Sequence, residues 1–139
     1  MADLTLYGRR IETVFDLLGD AEDDITYSVG WGLAQSEDLT RALVREIFGA
    51  TEQGEVTAVR LQQSEPGTGR TDIEIETEFL RLVIEAKRGW QLPRRDQLQL
   101  YALRLNSHDT RYKHIAVVTE AAPHFPPAAA LPPSLTASL

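Results

Sequence analysis

Two adjacent segments with alternating polar and apolar residues constrain the fold of this chain more than any other feature. In DIEIETE, residues 72–78, Ile73 and Ile75 alternate with acidic residues. The segment LRLVIEAK, residues 80–87, shows the same period of two. Side chains of a strand point alternately to opposite faces, so this spacing predicts two half-buried strands. Only Glu78 and Phe79 separate them. We therefore predict an antiparallel hairpin turning at this pair, although it lacks the Gly or Asn that tight turns favour.

The predicted hairpin gathers charged side chains on one face. Its register pairs Glu76 with Arg81, Glu74 with Val83, and Asp72 with Glu85. Directly opposed residues share a face, so Asp72, Glu85 and Lys87 are predicted to lie together. Neighbouring carboxylates repel unless a cation or a shared proton relieves them. Because Mg²⁺ takes one or two protein carboxylates and keeps positions for water and phosphate, the cluster favours a metal site for phosphodiester hydrolysis.

Length and composition indicate one domain. The chain has 139 residues, of which 25% are charged and 42% hydrophobic, and it has no cysteine. This length supports a single core, and the lack of cysteine excludes disulfides and thiolate metal sites. No apolar run has membrane-spanning length and the N-terminus lacks a signal peptide's apolar core, so we predict a cytoplasmic protein without membrane partners. We predict a domain over 1–120 and a Pro/Ala-rich tail or linker over 121–139.

The net charge of −7 weighs against strong unaided binding to nucleic acid, which usually requires a basic patch. Six of the 14 Lys and Arg residues nevertheless follow the predicted hairpin. They are Arg88, Arg94, Arg95, Arg104, Arg111 and Lys113. A locally basic groove beside the acidic cluster is therefore compatible with the composition, and bound metal ions would offset part of the negative charge.

The remaining pattern predicts an α/β order. Apolar stripes predict helices over 3–18, 20–36, 37–49 and 94–106, and β-branched runs predict strands over 55–63 and 114–120. Ser36 is a candidate N-cap and Gly49 a candidate C-terminal stop for the third helix. A helix crossover joins the hairpin to the last strand, so that strand is predicted to lie parallel to the one carrying Glu85.

A group of residues resembles the PD-(D/E)XK nuclease superfamily, especially its RecB-like and uncharacterised bacterial members. The group comprises Asp72, the Glu85-Ala86-Lys87 sequence on the next strand, and Gln97 and Tyr101 as QxxxY on the following helix. The resemblance covers about 22–119 and implies a restriction-endonuclease-like core, α-β-β-β-α-β, with a mixed sheet and flanking helices. Thr71 stands where the family name expects Pro, which leaves Asp72 in place.

The resemblance also implies an activity and roles for five residues. It implies a Mg²⁺-dependent or Mn²⁺-dependent nuclease that hydrolyses phosphodiester bonds, DNA more than RNA, in defence or repair, and leaves a 5′-phosphate. Asp72 and Glu85 would bind the metal with Glu22, the counterpart of the family's helical Glu; Glu12 is a weaker counterpart. Lys87 and Gln97 would act beside Asp72 and Glu85 in catalysis.

Plainer interpretations accompany these expectations. A Glu-x-Lys sequence occurs often by chance as a surface ion pair. Glu74 and Glu76 are interpreted as solvated, the latter with Arg81 as a partner, and Tyr101, Trp31 and Trp90 as packing residues. The alternative function is a catalytically inactive nuclease-fold module that binds nucleic acid or serves as an assembly subunit. A second copy of the chain or a larger assembly is the expected protein partner.

Overall fold

The computed structural model describes residues 4–6, 9–19, 21–49, 53–89 and 92–119. The strands within these residues are β1 (Leu4–Leu6), β2 (Arg9–Ile11), β3 (Val56–Leu61), β4 (Ser64–Glu65), β5 (Gly69–Arg70), β6 (Ile73–Thr77), β7 (Leu80–Lys87) and β8 (Tyr112–Thr119). The α-helices are α1 (Glu22–Gln35), α2 (Glu37–Phe48) and α3 (Arg95–Asn106), and a short 3₁₀ helix spans Val14–Leu17. The predicted tail, 121–139, and Trp90 lie outside the described residues.

A mixed four-stranded sheet positions the charged cluster. Its strand order is β3-β6-β7-β8; the first two pairings are antiparallel, and β8 runs parallel to β7. Helix α3 makes the connection between the two parallel strands, as the sequence predicts. The protein is therefore a mixed α/β fold with helices flanking the sheet. In the described part of the chain, no helix is both long enough and apolar enough to cross a membrane.

The hairpin of β6 and β7 has the predicted register. Glu76 pairs with Arg81 and Glu74 with Val83 across the two strands. Although the turn lacks Gly and Asn, the Thr77 hydroxyl oxygen accepts hydrogen bonds from the backbone N–H groups of Phe79 (3.3 Å) and Leu80 (3.1 Å). A strand-end threonine thus satisfies the turn's donors, which explains how Glu78-Phe79 can close the hairpin.

Both faces of the sheet are covered, so the prediction of half-buried strands is wrong. One core cluster joins Leu33 of α1 and Val44 of α2 to the apolar face of the hairpin. A second cluster packs α3 against the other face. It contains Val83, Leu98, Tyr101, Leu105 and Ile115. The face that carries the predicted site is therefore interior for most of its length, and polar side chains on it need partners inside the protein.

Glu74 and Arg104 form such a partnership. Each residue is 2% exposed, and Arg104 Nη2 lies 2.7 Å from Glu74 Oε1. The Arg104 guanidinium also donates to the Gln63 carbonyl oxygen at 3.0 Å, and the Thr71 hydroxyl donates to Glu74 Oε1 at 2.9 Å. The prediction of a solvated Glu74 is therefore wrong, because α3 covers this position. Glu76 is half-buried rather than solvated; it pairs with Arg81 at 2.9 Å, as predicted, and also with Arg60.

The predicted helix over 3–18 is also wrong. β1 and β2 pair antiparallel, and of the described residues in this range only Val14–Leu17 is helical. The Asp16 carboxylate accepts a hydrogen bond from the Thr13 N–H (2.8 Å), which starts a helical turn at Val14 rather than at the beginning of the segment. Trp31 of α1 lies edge-on to Phe15, with 5.5 Å between ring centroids, and remains 55% exposed, so the prediction that it packs in the core is wrong.

The other predicted helices are confirmed, with a different buried face in α1. Ser36 caps α2 by accepting a hydrogen bond from the Leu39 N–H at 3.2 Å, and Gly49 ends α2 with φ of 75°. In α1 the buried residues are Thr26, Gly30 and Leu33. Val29 belongs to the apolar stripe that predicts this helix, yet it is 41% exposed. Gly30 lies against Leu61 of β3, where a Cβ would be 2.2 Å from Leu61 Cδ2.

Candidate active site

The charged cluster lies where β6 begins and β7 ends. Asp72 directly precedes β6, and continuing the hairpin register by one residue beyond the Ile73–Ile84 pair places it opposite Glu85. Its carboxylate Oδ2 accepts a hydrogen bond from the Ala86 N–H at 2.8 Å. Asp72 is thus fixed against β7 by a backbone donor that lies between Glu85 and Lys87.

Glu85 is held by three side-chain donors although it is only 1% exposed. Its Oε1 accepts from Gln97 Nε2 at 2.6 Å and lies 2.7 Å from Lys87 Nζ. Its Oε2 lies 2.8 Å from the Tyr101 hydroxyl. Charged hydrogen bonds of this kind allow a carboxylate to be buried, and they fix its orientation.

Lys87 bridges two carboxylates. Its Nζ lies 2.7 Å from Glu85 Oε1 and 3.4 Å from Glu22 Oε1. Burial acts to lower the pKa of Lys87, but the hydrogen bond and negative charge of Glu85, together with Glu22, raise the pKa above its ordinary value. Lys87 is therefore a cation at neutral pH, with a fixed position between two strands and a helix.

Glu22 reaches this cluster from the first residue of α1. In addition to its contact with Lys87, its Oε2 accepts from the Arg88 N–H at 3.0 Å. Glu12 lies elsewhere: it precedes the 3₁₀ helix, and its N–H donates to Asp16 Oδ2 at 3.0 Å. Of the two glutamates considered from the sequence, Glu22 is the one that the fold brings to Lys87.

The electrostatics of Asp72 reflect an excess of negative charge. Burial raises its pKa to about 6; the hydrogen bond from Ala86 and the charge of Lys87 oppose this rise, whereas Glu85 and Glu22 add to it. Three carboxylates therefore share one ammonium. The excess negative charge of this cluster would attract a further cation.

The donor set suits a hard divalent cation. Carboxylate oxygens of Asp72 and Glu85 and the nearby Ala86 carbonyl are oxygen ligands of the kind Mg²⁺ and Mn²⁺ use, and one or two protein carboxylates are sufficient for Mg²⁺. Among the described residues, no group of three or more Asp, Glu, His or Cys side chains is spaced to hold an ion. A metal at this site would accordingly rest on two carboxylates and a carbonyl, with Glu22 joining only if it moves away from Lys87.

Tyr101 packs in the core, as predicted, and its hydroxyl also belongs to the site, a second role that the packing interpretation does not include. Its ring packs in the α3 cluster, whereas its hydroxyl accepts from Gln97 Nε2 at 2.8 Å and contacts two acceptors, Glu85 Oε2 at 2.8 Å and the Arg70 carbonyl oxygen at 2.7 Å. Burial and the hydrogen bond to Glu85 raise the pKa of Tyr101, so the hydroxyl stays protonated. The four-residue spacing from Gln97, one helical turn, was the available signal.

Two open grooves adjoin the cluster. One is lined by residues of α1, β7 and β8, including Glu22, Lys87 and Arg88. The other lies between the β4–β5 turn and the start of α3, and its lining includes Arg70, Arg94, Gln97 and Tyr101. Each groove thus brings arginine to the edge of an acidic site.

Comparisons of the chain with protein-family models, with curated proteins and with solved structures found no match.

Proposed function

We propose that this protein is a metal-dependent nuclease that hydrolyses phosphodiester bonds of nucleic acid, DNA rather than RNA. The observation that carries the proposal is the convergence of Asp72, Glu85 and Lys87 at one point of the sheet, with Glu85 buried and Lys87 kept cationic. Two carboxylates to bind a metal and one fixed ammonium to meet phosphate are the groups that this hydrolysis needs.

The order of elements supports assignment to the PD-(D/E)XK superfamily and its restriction-endonuclease-like core. Around the central sheet the chain runs α1, β3, β6, β7, α3, β8, with α2 and the two small hairpins as additions. This is the α-β-β-β-α-β order of that core. Asp72 at the second of these strands, Glu85 and Lys87 on the third, and Gln97 on the next helix occupy the positions that the superfamily pattern assigns to its site.

Asp72 and Glu85 would hold Mg²⁺ or Mn²⁺, with the Ala86 carbonyl as a further oxygen donor; Glu22 would join them only after leaving Lys87. When bound, the ion lowers the pKa of a coordinated water and offsets charge on the phosphate. Residues of α3 fix the carboxylates for this purpose: Gln97 and Tyr101 donate to opposite oxygens of Glu85. Because the Glu85 carboxylate is oriented before substrate binds, the reaction does not include the free-energy cost of orienting it.

Lys87 and Gln97 have capacity left for substrate or water. An ammonium has three N–H donors, and the contacts of Lys87 with Glu85 and Glu22 use two of them. Both amide hydrogens of Gln97 are used, by Glu85 and Tyr101, which leaves its carbonyl oxygen as an acceptor. Lys87 would accordingly stabilise charge on a phosphate oxygen, while Gln97 would orient the attacking water.

The first test is cleavage by the purified protein and four variants. Plasmid, linear duplex and single-stranded DNA are incubated with Mg²⁺, Mn²⁺ or a chelator. We expect metal-dependent cleavage. We expect Asp72→Ala and Lys87→Ala to lower its rate by at least about 100-fold, because the first removes a metal ligand and the second removes the ammonium that contacts the phosphate. Asp38→Ala and Arg45→Ala, both at exposed sites on α2, are matched controls that should keep the activity.

Circular dichroism of each variant shows whether it is folded. Equal activity of folded Asp72→Ala or Lys87→Ala and the wild type would refute the proposed site. Nucleic-acid binding without cleavage in either metal would instead favour a catalytically inactive binding or assembly module.

A further inference from the structure

Gln62 has an unusual backbone conformation next to the candidate site. It follows β3 directly, and its φ is 51°, the only positive φ of a non-glycine residue in the described part of the chain. Residues with a Cβ rarely adopt this left-handed region, and where they do, the strained residue is often part of a functional site. Backbone strain alone assigns no role to Gln62, so its role is inferred from the contacts of its backbone and side chain.

The backbone of Gln62 is paired with Asp72. Its N–H donates to the Asp72 carbonyl oxygen at 2.9 Å, which extends the β3–β6 ladder by one position beyond the Leu61–Ile73 pair. From this position the side chain reaches two carboxylates: Nε2 lies 3.2 Å from Asp23 Oδ1 and 3.5 Å from Asp72 Oδ1. The amide of Gln62 therefore connects the first turn of α1 with the carboxylate that begins β6.

The other polar atom of this amide has no partner among the residues that the structure describes. Gln62 Oε1 is buried, and no donor within the described ranges lies at hydrogen-bond distance from it. Rotating the amide by half a turn would not help, because Oε1 would then face the carboxylate oxygens of Asp23 and Asp72, which are acceptors too. A buried carbonyl oxygen without a donor is costly, so a donor from outside the protein is the expected partner.

We infer that Gln62 is a positioning residue of the site, whose Nε2 holds the Asp72 carboxylate and whose Oε1 accepts a hydrogen bond from a water of a hydrated divalent cation. This inference rests on the proposed function. Mg²⁺ and Mn²⁺ retain several waters when bound by few protein ligands, and those waters donate to oxygen atoms around the site. The strained backbone then has a purpose, because it turns the amide toward Asp72 at the end of β3.

A glycine at this position separates a role in metal binding from a role in folding. Gly adopts positive φ without strain, so Gln62→Gly keeps the turn and removes only the amide. If the side chain serves the metal site, the variant should unfold at a temperature equal to or above that of the wild type and bind Mn²⁺ more weakly. If it serves the fold, the variant should unfold at a clearly lower temperature.

The experiment is calorimetric titration of metal-free protein with Mn²⁺, together with thermal unfolding of each protein. We expect Gln62→Gly to raise the Kd for Mn²⁺ by about 10- to 100-fold, the usual effect of removing a group that supports a metal ligand. Gln63→Ala is the matched control, because the carbonyl oxygen that Thr71 and Arg104 use survives that change. Its Kd should stay within about twofold of the wild type.

The outcomes distinguish this inference from the proposed function. An unchanged Kd in Gln62→Gly, or a marked loss of thermal stability, would overturn the inference and leave the proposed function standing. A wild-type protein that neither binds Mn²⁺ nor cleaves nucleic acid would overturn the proposed function and the inference with it.

Discussion

At the scale of single residues, Asp72 shows the cost of assembling this site. Its carboxylate is partly buried beside Glu85 and Glu22, and burial raises its pKa from 3.8 to about 6. A group whose pKa is higher in the folded protein binds more protons there than in the unfolded chain. Its ionisation therefore lowers the free energy of unfolding as the pH rises through the interval between the two values.

The metal-free protein should accordingly lose stability between about pH 4 and pH 7 in a way that Asp72→Asn does not. Asn keeps an oxygen for the Ala86 N–H but carries no charge. We expect the variant to gain on the order of 1 kcal/mol relative to the wild type across this interval, a value reduced for solvent screening of a partly exposed group. Urea unfolding at several pH values measures this difference, and parallel pH profiles would contradict it.

The residues of the candidate site differed in how far the sequence could identify them. Asp72, Glu85 and Lys87 were selected because a period of two and a two-residue turn specify which side chains share a face. Gln62 gave no such signal: its position opposite Asp72 depends on how β3 pairs with β6, and its conformation is set by that pairing. The burial of Glu74 could not be predicted from its own strand, because the helix that covers it, α3, is distant in sequence.

At the scale of elements, close packing between α1 and β3 determines where Glu22 lies. Gly30 has no side chain to separate the helix from Leu61, and a Cβ there would lie 2.2 Å from Leu61 Cδ2. A Cβ at Gly32, two residues further along α1, would lie 3.9 Å from Leu39 Cδ2, which is an ordinary contact. The two glycines of one helix therefore have different reasons to be present.

Replacing each glycine by alanine should have opposite effects on stability. Both changes gain about 1 kcal/mol in helix propensity, but Gly30→Ala also overpacks the contact with Leu61, which costs about 1–3 kcal/mol. We expect Gly32→Ala to raise the melting temperature by about 4 °C and Gly30→Ala to lower it. Thermal unfolding by circular dichroism provides the measurement, and a stabilised Gly30→Ala protein would show that α1 can move away from β3.

The limits of an element were predictable where its own caps mark them, and they were not predictable from an apolar stripe alone. Ser36 and Gly49 delimit α2 through their own caps, so its limits followed from the sequence. The error over 3–18 arose because four apolar residues at helical spacing do not reveal where a helix begins. Asp16 starts the helical turn at Val14, and the preceding residues pair as strands.

At the scale of the whole molecule, a net charge of −7 opposes the binding of nucleic acid, which is also negatively charged. Arg88 at one groove and Arg70 at the other provide local positive charge beside three carboxylates, whereas the charge of Arg94 at the second groove is offset by its ion pair with Asp96. Cations bound at the carboxylates would remove the main repulsion at the centre of this surface. Binding of nucleic acid should therefore depend on divalent cations even before any bond is broken.

Fluorescence anisotropy with labelled duplex DNA tests this dependence. Ca²⁺ takes the same oxygen ligands as Mg²⁺ with less demanding geometry, so it can replace the natural ion for binding. We expect the Kd to fall at least about tenfold in Ca²⁺ relative to chelator at equal ionic strength, and the plot of log K against log salt to have a slope near about −3, for three phosphate contacts.

Asp72→Ala should remove the effect of Ca²⁺ on DNA affinity. Equal affinity of the wild type in Ca²⁺ and in chelator would mean that the acidic cluster does not face the nucleic acid.

The donors that α3 contributes to Glu85 have a consequence for synthesis of the chain. Gln97 and Tyr101 follow the hairpin in sequence, so β6 and β7 leave the ribosome before the groups that neutralise and orient this carboxylate exist. Until α3 docks, the newly made hairpin must keep that side of its surface in water. Docking of α3 on the hairpin is thus the event that buries the Glu85 carboxylate. A chain truncated before α3 would lack both the helix that covers this face and the two donors that orient Glu85.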